Sequence, residues 1–146
     1  MRKEENTTCI FCEILDGRSE ASKVYEDNDV IAIMDIQPVN AGHVLIIPKK
    51  HIAFLDTENS ASGEQMLKAG VKVASAMKKS DLNCEGVNYL IADGEAAGQE
   101  VFHVHLHVFP RFKSDGFGFR FREEYYTLPD RKELEEIAVK IKKNII

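Results

Sequence analysis

Residues 103–109 read His-Val-His-Leu-His-Val-Phe, a strict alternation of imidazole and apolar side chains. Such an alternation has a structural meaning in an extended strand, where successive side chains point to opposite faces. His103, His105 and His107 then share one face, while Val104, Leu106 and Val108 enter a core. At a rise of ~3.4 Å per residue, same-face neighbours lie about 6.8 Å apart and the outer pair about 13 Å apart. His103 and His107 are therefore too distant to hold one metal ion between them at Zn–N bonds of about 2.1 Å. The row has to serve at least two jobs.

The chain offers partner strands for this segment. Lys23–Glu26 and Asp29–Met34 read as two strands joined at Asp27-Asn28, a hairpin signal. Val44–Ile47 is a third, ended by Pro48, and Val87–Ala92 a fourth, with Val104–Phe109 the histidine strand. Asp35–Gly42 and Asp93–Gln99 are loops. Cys9–Leu15 is apolar enough for one or two helical turns before Asp16-Gly17. Ser62 and Gln65 have capping-box spacing, and Met66, Leu67, Gly70, Val73, Ala74 and Met77 then recur on one helical face. Asp130 and Glu133 open a last helix striped by Leu134, Ile137, Ala138, Ile141 and Ile145. Strands outnumber helices and their connections are hairpin-like. An α+β domain follows, with an antiparallel sheet and helices packed on one face.

Composition narrows the function. A chain of 146 residues with 44% hydrophobic content can build one core without staples, and it shows no repeat or linker that would divide it. Nineteen Lys+Arg against twenty-four Asp+Glu leave a net charge of −5, which argues against a basic nucleic-acid binder. No apolar run approaches the ~18 residues of a membrane span. The start, Met1-Arg2-Lys3-Glu4-Glu5, lacks the apolar stretch of a secretory leader, so a cytoplasmic location is expected. Three cysteines, two of them as Cys9-x-x-Cys12, fit a reducing compartment and two thiolates on one zinc ion better than a disulfide framework. Cys84 reads as a free thiol, His43 as a hydrogen-bonding residue, and Lys49-Lys50 as a solvated strand end.

A row of imidazoles suits phosphorus chemistry. With an unperturbed pKa near 6.5 a histidine is mostly neutral at pH 7, and its free ring nitrogen can attack phosphorus if an acceptor holds the other nitrogen's proton. A neighbouring imidazole can donate to the phosphate oxygens. Upstream, Gly94-Glu-Ala-Ala-Gly98-Gln99 has two glycines that would let backbone N–H groups approach an anion.

Taken together, His103–Phe109 preceded by Gly98-Gln99, Gly42-His43-Val44-Leu45-Ile46-Ile47-Pro48-Lys49-Lys50-His51, Asp35-Ile36 and Cys9-Ile10-Phe11-Cys12 resemble the histidine-triad (HIT) nucleotide-binding and hydrolase family. The likeness runs from Cys9 to about Phe119, and the Cys-x-x-Cys start is similar to the zinc-containing branch. The resemblance implies a HIT-like α+β fold: a five-stranded antiparallel sheet with one long central helix, usually homodimeric. A single HIT domain over 1–146 is expected, with a core of about 9–119 and a C-terminal helix of about 130–144.

The implied activity is hydrolysis or transfer at the α-phosphorus of a nucleoside phosphoramidate, an aminoacyl adenylate or a dinucleoside polyphosphate. By motif position His105 is the nucleophile, His107 binds the phosphate and assists the leaving group, and Gln99 orients the phosphate oxygens. Asp35 accepts the ribose hydroxyls, while Ile10, Phe11, Ile14, Ile33 and Ile36 form the purine nucleoside pocket. Gly98, Glu100 and Val101 complete the nucleotide-binding loop. His51 and His103 would join Cys9 and Cys12 on a structural zinc ion, and no catalytic metal is required.

Two positions depart from the pattern: Ala92 stands where several branches carry an amide, and Glu100 where Ser or Thr is common. They motivate a rival, a nucleotide-binding regulatory module with little catalysis. A third possibility is a metallohydrolase with its ion shared by His103 and His105. The segment Asp115–Tyr126 fits either a substrate wall or a dimer contact.

Overall fold

A computed structural model describes residues 9–146 as two compact units, one reaching to Asp115 and the other spanning Gly116–Ile146. The first unit runs α1 (Ile10–Leu15), β1 (Lys23–Glu26), β2 (Val30–Met34), β3 (Val44–Pro48), α2 (Ser60–Lys79), β4 (Gly86–Ile91) and β5 (Leu106–Arg111). All pairings are antiparallel, in the order β1-β2-β3-β5-β4. The second unit holds a 3-10 turn at Glu123–Tyr126 and α3 (Arg131–Lys142). Asp130 caps α3 by accepting the Glu133 N–H at 2.8 Å, as the sequence spacing predicts. Among the described residues no helix is long and apolar enough to cross a membrane.

The middle strands carry unbroken apolar runs because both of their faces are covered. Val30, Ala32, Val44, Ile46, Val104, Leu106 and Val108 pack with Met66, Ala69, Val73, Ala74 and Met77 of α2. Their neighbours Ile31, Ile33, Leu45 and Ile47 turn the other way, against Phe11 of α1. Helical cover on one face alone is thus too simple: α1, only six residues long, closes the second. Gly70 lets α2 approach β5, since a Cβ there would stand 2.8 Å from Leu106 Cδ2 and 3.2 Å from Val108 Cγ2.

Two local expectations shift. The helix α2 starts at Ser60 with Asn59 at its N-cap, so Ser62 and Gln65 do not form a capping box, and Leu67 lies off the buried stripe at 51% exposure. The ladder of β5 begins at Leu106, so His107 alone of the three histidines lies in the strand. The alternation nevertheless persists upstream. Val104 joins the core under α2, while the rings of His103 and His105 both meet Phe11 on the opposite face.

Candidate active site and metal centre

Four soft donors converge where α1, the end of β3 and the approach to β5 meet. Cys9 caps α1, its Sγ taking the Cys12 N–H at 3.5 Å, which sets both sulfurs on one side of the first turn. His51 follows the end of β3, and His103 is fully buried. Cys9 Sγ lies 3.4 Å from His103 Nδ1, Cys12 Sγ lies 3.3 Å from His51 Nδ1, and the two Nδ1 atoms are 3.2 Å apart. A tetrahedral ion with Zn–S of ~2.3 Å and Zn–N of ~2.1 Å sets S···N at ~3.6 Å and N···N at ~3.4 Å. The donor set fits.

The protonation of His103 fits too. Its Nε2 is 2.8 Å from the Pro48 carbonyl and must donate there, which leaves the Nδ1 lone pair facing the sulfurs. Burial pushes the His103 pKa down to about 4, keeping the ring neutral. Burial first, then the neighbouring Cys9 thiol, pushes the Cys12 thiol up to about 11. Two adjacent thiolates need a cation beside them. His105 takes no part in this cluster, so an ion shared by His103 and His105 has no support in the geometry.

The second group lies further along the row. His105 Nδ1 is 2.9 Å from the carbonyl of His103, an acceptor only, so Nδ1 carries the proton and Nε2 keeps its lone pair. Burial lowers the His105 pKa, against the opposing pull of that carbonyl and of Asp35. The His105 and His107 ring centroids are 4.8 Å apart. Behind them is a residue whose part in the site the sequence did not reveal. His43, buried at the start of the β3 turn, accepts the Val39 N–H on Nδ1 at 3.0 Å. Its proton is therefore on Nε2, which donates to His107 Nδ1 at 2.9 Å. That bond forces the His107 proton onto Nε2, the nitrogen away from the relay. At 2.9 Å the two nitrogens are closer than a shared tetrahedral ion would set them, and a hydrogen bond explains the pair. The Gly-His dipeptide before β3 was the signal available, but the contact spans 64 residues and no spacing shows it.

Asp35 Oδ2 stands 3.4 Å from His43 Nε2 and 3.9 Å from His107 Nδ1, while Oδ1 accepts the Gln37 N–H at 2.9 Å. Burial lowers the pKa of His43, and burial together with the neighbouring His105 and His43 holds His107 at about 4. The whole group is neutral imidazole beside one carboxylate.

Of the expected apolar pocket, Phe11, Ile14 and Ile33 gather in one cluster, joined by Val101 of the loop, whereas Ile10 is 43% exposed and Ile36 fully exposed. Glu100 and Gly98 lie at the surface. Gln99 is engaged within the protein. It is buried, its Oε1 accepts the Gly94 N–H at 2.8 Å, and its Nε2 donates to the carbonyls of Ala53 at 2.8 Å and Val101 at 3.1 Å. No amide hydrogen is left for phosphate oxygens; the side chain braces the loop. Nor is that loop an open nest. Gly94 and Gly98 have φ of 97° and 92°, as a turn of this kind needs, but the N–H groups of Gly94, Ala97, Gly98 and Gln99 are all engaged within the loop.

A five-stranded antiparallel sheet with an imidazole row beside a Cys2His2 cluster defines a histidine-triad type of protein. Residues 16–114 match the HIT domain model, and the chain belongs to the HIT family. A HIT-like protein of Borreliella burgdorferi is 43% identical over 138 residues, covering 94% of this chain and 98% of that one. An adenylylsulfatase of Arabidopsis thaliana is 36% identical over 107 residues, covering 73% of this chain and 54% of the relative. Among solved structures, a HIT family member from Bacillus subtilis superposes with a TM-score of 0.84 at 37% identity, over 95% of this chain and 98% of that one. A zinc-bound histidine triad protein from Mycobacterium smegmatis gives a TM-score of 0.74 at 36% identity, over 96% of this chain and 99% of that one.

Proposed function

We propose that this chain is a nucleotide hydrolase or transferase that works through a nucleotidyl-His105 intermediate. The observation that carries the reading is the forced tautomer of His105: a proton held on Nδ1 by the His103 carbonyl and a lone pair left on Nε2. In the first step Nε2 attacks the α-phosphorus of a nucleoside phosphoramidate, aminoacyl adenylate or dinucleoside polyphosphate. The P–N bond forms as the bond to the leaving group breaks, with the His107 Nε2–H hydrogen-bonded to the phosphate and departing atom and the proton the leaving group needs supplied by solvent. In the second step water attacks, its proton is released to solvent, and the P–N electron pair goes back to His105 as the nucleoside monophosphate departs. No oxidant is involved.

Asp35 retains lone pairs on both oxygens for ribose hydroxyls, and Phe11, Ile14 and Ile33 give the base an apolar wall. The relationship to a protein named an adenylylsulfatase supports a nucleotide substrate. Zinc at Cys9, Cys12, His51 and His103 would tie α1 to the sheet and stay outside the reaction. Its relationship to a zinc-bound protein supports that metal. We read the chain as a cytoplasmic homodimer; the dimer reading is supported by β4, an open sheet edge carrying exposed Tyr89 and Leu90, and by exposed Leu67 and Val71 of α2.

Intact-mass spectrometry with adenosine phosphoramidate tests the assignment: an adenylyl adduct is expected on the parent chain and none on His105→Asn. Nucleotide binding without adduct or turnover on any of the three substrate classes would instead identify a regulatory module.

A further inference from the structure

The backbone ladder between β3 and β5 ends at the pair Val44 and Val108, one residue short of His43. Sheet hydrogen bonds therefore do not fix the ring that donates to His107. That ring is seated by its own turn. Its Nδ1 takes the Val39 N–H at 3.0 Å, the His43 N–H goes to the Asn40 carbonyl at 3.1 Å, and the His43 carbonyl takes the Asp35 N–H at 3.0 Å. A turn folded on itself in this way still has to be docked on the strand that carries His107.

Asn40 docks it. Its Nδ2 donates to the Pro110 carbonyl at 2.9 Å and to Asp115 Oδ2 at 2.8 Å, so a side chain carries on the attachment to β5 where the ladder stops. Gly42 lets the turn come this close. A Cβ there would stand 2.9 Å from Leu82 Cδ1 and 3.3 Å from Pro110 Cγ, and a φ of 106° suits glycine.

Asp115 is itself held for this contact. Its side chain is 2% exposed, and Arg111 meets the carboxylate with two prongs, Nε at 2.6 Å and Nη2 at 3.0 Å. The remaining prong, Nη1, donates to Asn88 Oδ1 of β4 at 2.7 Å. A planar fork gripped at three points fixes the orientation of the carboxylate as well as its charge. Ser114 turns the chain back to deliver Asp115, with φ at 64°, a left-handed conformation that a side chain resists. A buried ion pair is a weak source of stability, and a left-handed serine opposes folding. The two together point to a geometric task.

We propose, resting on the reading of His107 as the phosphate-binding imidazole, that Asn40, Asp115 and Arg111 are positioning residues that set the hydrogen bond from His43 to His107. The clamp keeps the His43 turn against Pro110, where His43 Nε2–H meets His107 Nδ1 and confines the His107 proton to Nε2. Without it the turn moves off β5, the 2.9 Å contact opens, and His107 divides between its two tautomers.

The test pairs ring-nitrogen NMR with steady-state kinetics on the zinc-loaded full chain. In the parent, His43 and His107 should each show a single tautomer, with a resolved coupling between His43 Nε2 and His107 Nδ1. Asn40→Ala should lose that coupling and bring His107 into tautomeric exchange. With adenosine phosphoramidate its kcat should fall about tenfold while KM changes by less than about twofold. Added to His43→Asn, the same substitution should lower kcat by less than about twofold further, because the bond it serves is already gone. Arg111→Lys keeps the charge but not the fork; it should give a smaller loss in the same direction, and it replaces Asn40→Ala if that variant does not fold. The proposal is overturned if the ring nitrogens of the variant match those of the parent, or if the losses from Asn40→Ala and His43→Asn multiply. The ring-nitrogen measurement needs no substrate, so it decides the clamp even where absent turnover defeats the catalytic reading.

Discussion

His103 and His107 stand four residues apart, both neutral and both shielded, yet they present different nitrogens to their surroundings. His103 gives the Nε2 proton to the Pro48 carbonyl and turns Nδ1 toward two thiols and a second imidazole. His107 receives a proton from His43 on Nδ1 and keeps its own proton on Nε2. His105, between them, gives its Nδ1 proton to a backbone carbonyl and keeps a lone pair on Nε2. An imidazole has two nitrogens and, when neutral, one proton, so the partner of one nitrogen sets the chemistry of the other. On the proposed reading, one residue type supplies a metal donor, a nucleophile and a phosphate-binding N–H within a single row. At the Cys2His2 end sulfur and nitrogen converge at separations a tetrahedral ion would set; at the other end the imidazoles form a hydrogen-bonded relay.

This contrast can be broken by experiment. The largest effect is expected at the nucleophile, where His105→Asn should lower kcat/KM by about 10⁴-fold or more. Retained turnover in a steady-state assay would remove the distinction between the two ends. Next, Cys12→Ala should empty the metal cluster and lower the Tm by roughly 10 °C, since a structural ion is part of the folding free energy. Metal analysis and a melting curve measure both, and turnover below the new Tm should largely survive. Collapse of turnover with the fold intact would show that the metal takes part in the chemistry.

His43→Asn shortens the relay and should reduce kcat by roughly 10- to 100-fold with little change in KM. His43→Gln, whose amide can still donate to His107, should recover part of the loss, and equal losses would reduce His43 to a packing role. The smallest effect is a pH slope. An unfolded imidazole titrates near 6.5, while burial and the neighbouring imidazoles hold His107 at about 4. Between those values the unfolded chain binds more protons. The contribution of His107 is therefore complete above its unfolded pKa and is lost as pH falls through the folded one. With zinc in excess, His107→Asn should flatten the fall of Tm between those two pH values, and a steeper fall would contradict the assignment.

Much of the fold was legible locally. The β1–β2 hairpin, the Asp130 cap and the stripe of α2 rest on short-range rules of turns, caps and periodicity. The Cys9-x-x-Cys12 spacing pointed to two converging sulfurs because one helical turn sets both. The start of α2 was misplaced, since a box of Ser62 and Gln65 is locally as good as what occurs, where Asn59 stands at the N-cap and its side chain is tied into the 54–56 loop. The alternation of His103 to Phe109 was read correctly even though the strand itself covers less of it. The bracing of the loop by Gln99 was not legible, because only the folded loop shows that Gly94, Ala53 and Val101 engage its amide.

The sequence alone determined which residue types could react and which faces they would share, because side-chain chemistry and strand alternation are properties of neighbours in the chain. The tertiary structure alone decided which nitrogen of each histidine is available. For His103 and His107 that choice rests on a carbonyl and an imidazole brought from 55 and 64 residues away, and for His105 on the nearby His103 carbonyl as the folded backbone turns it.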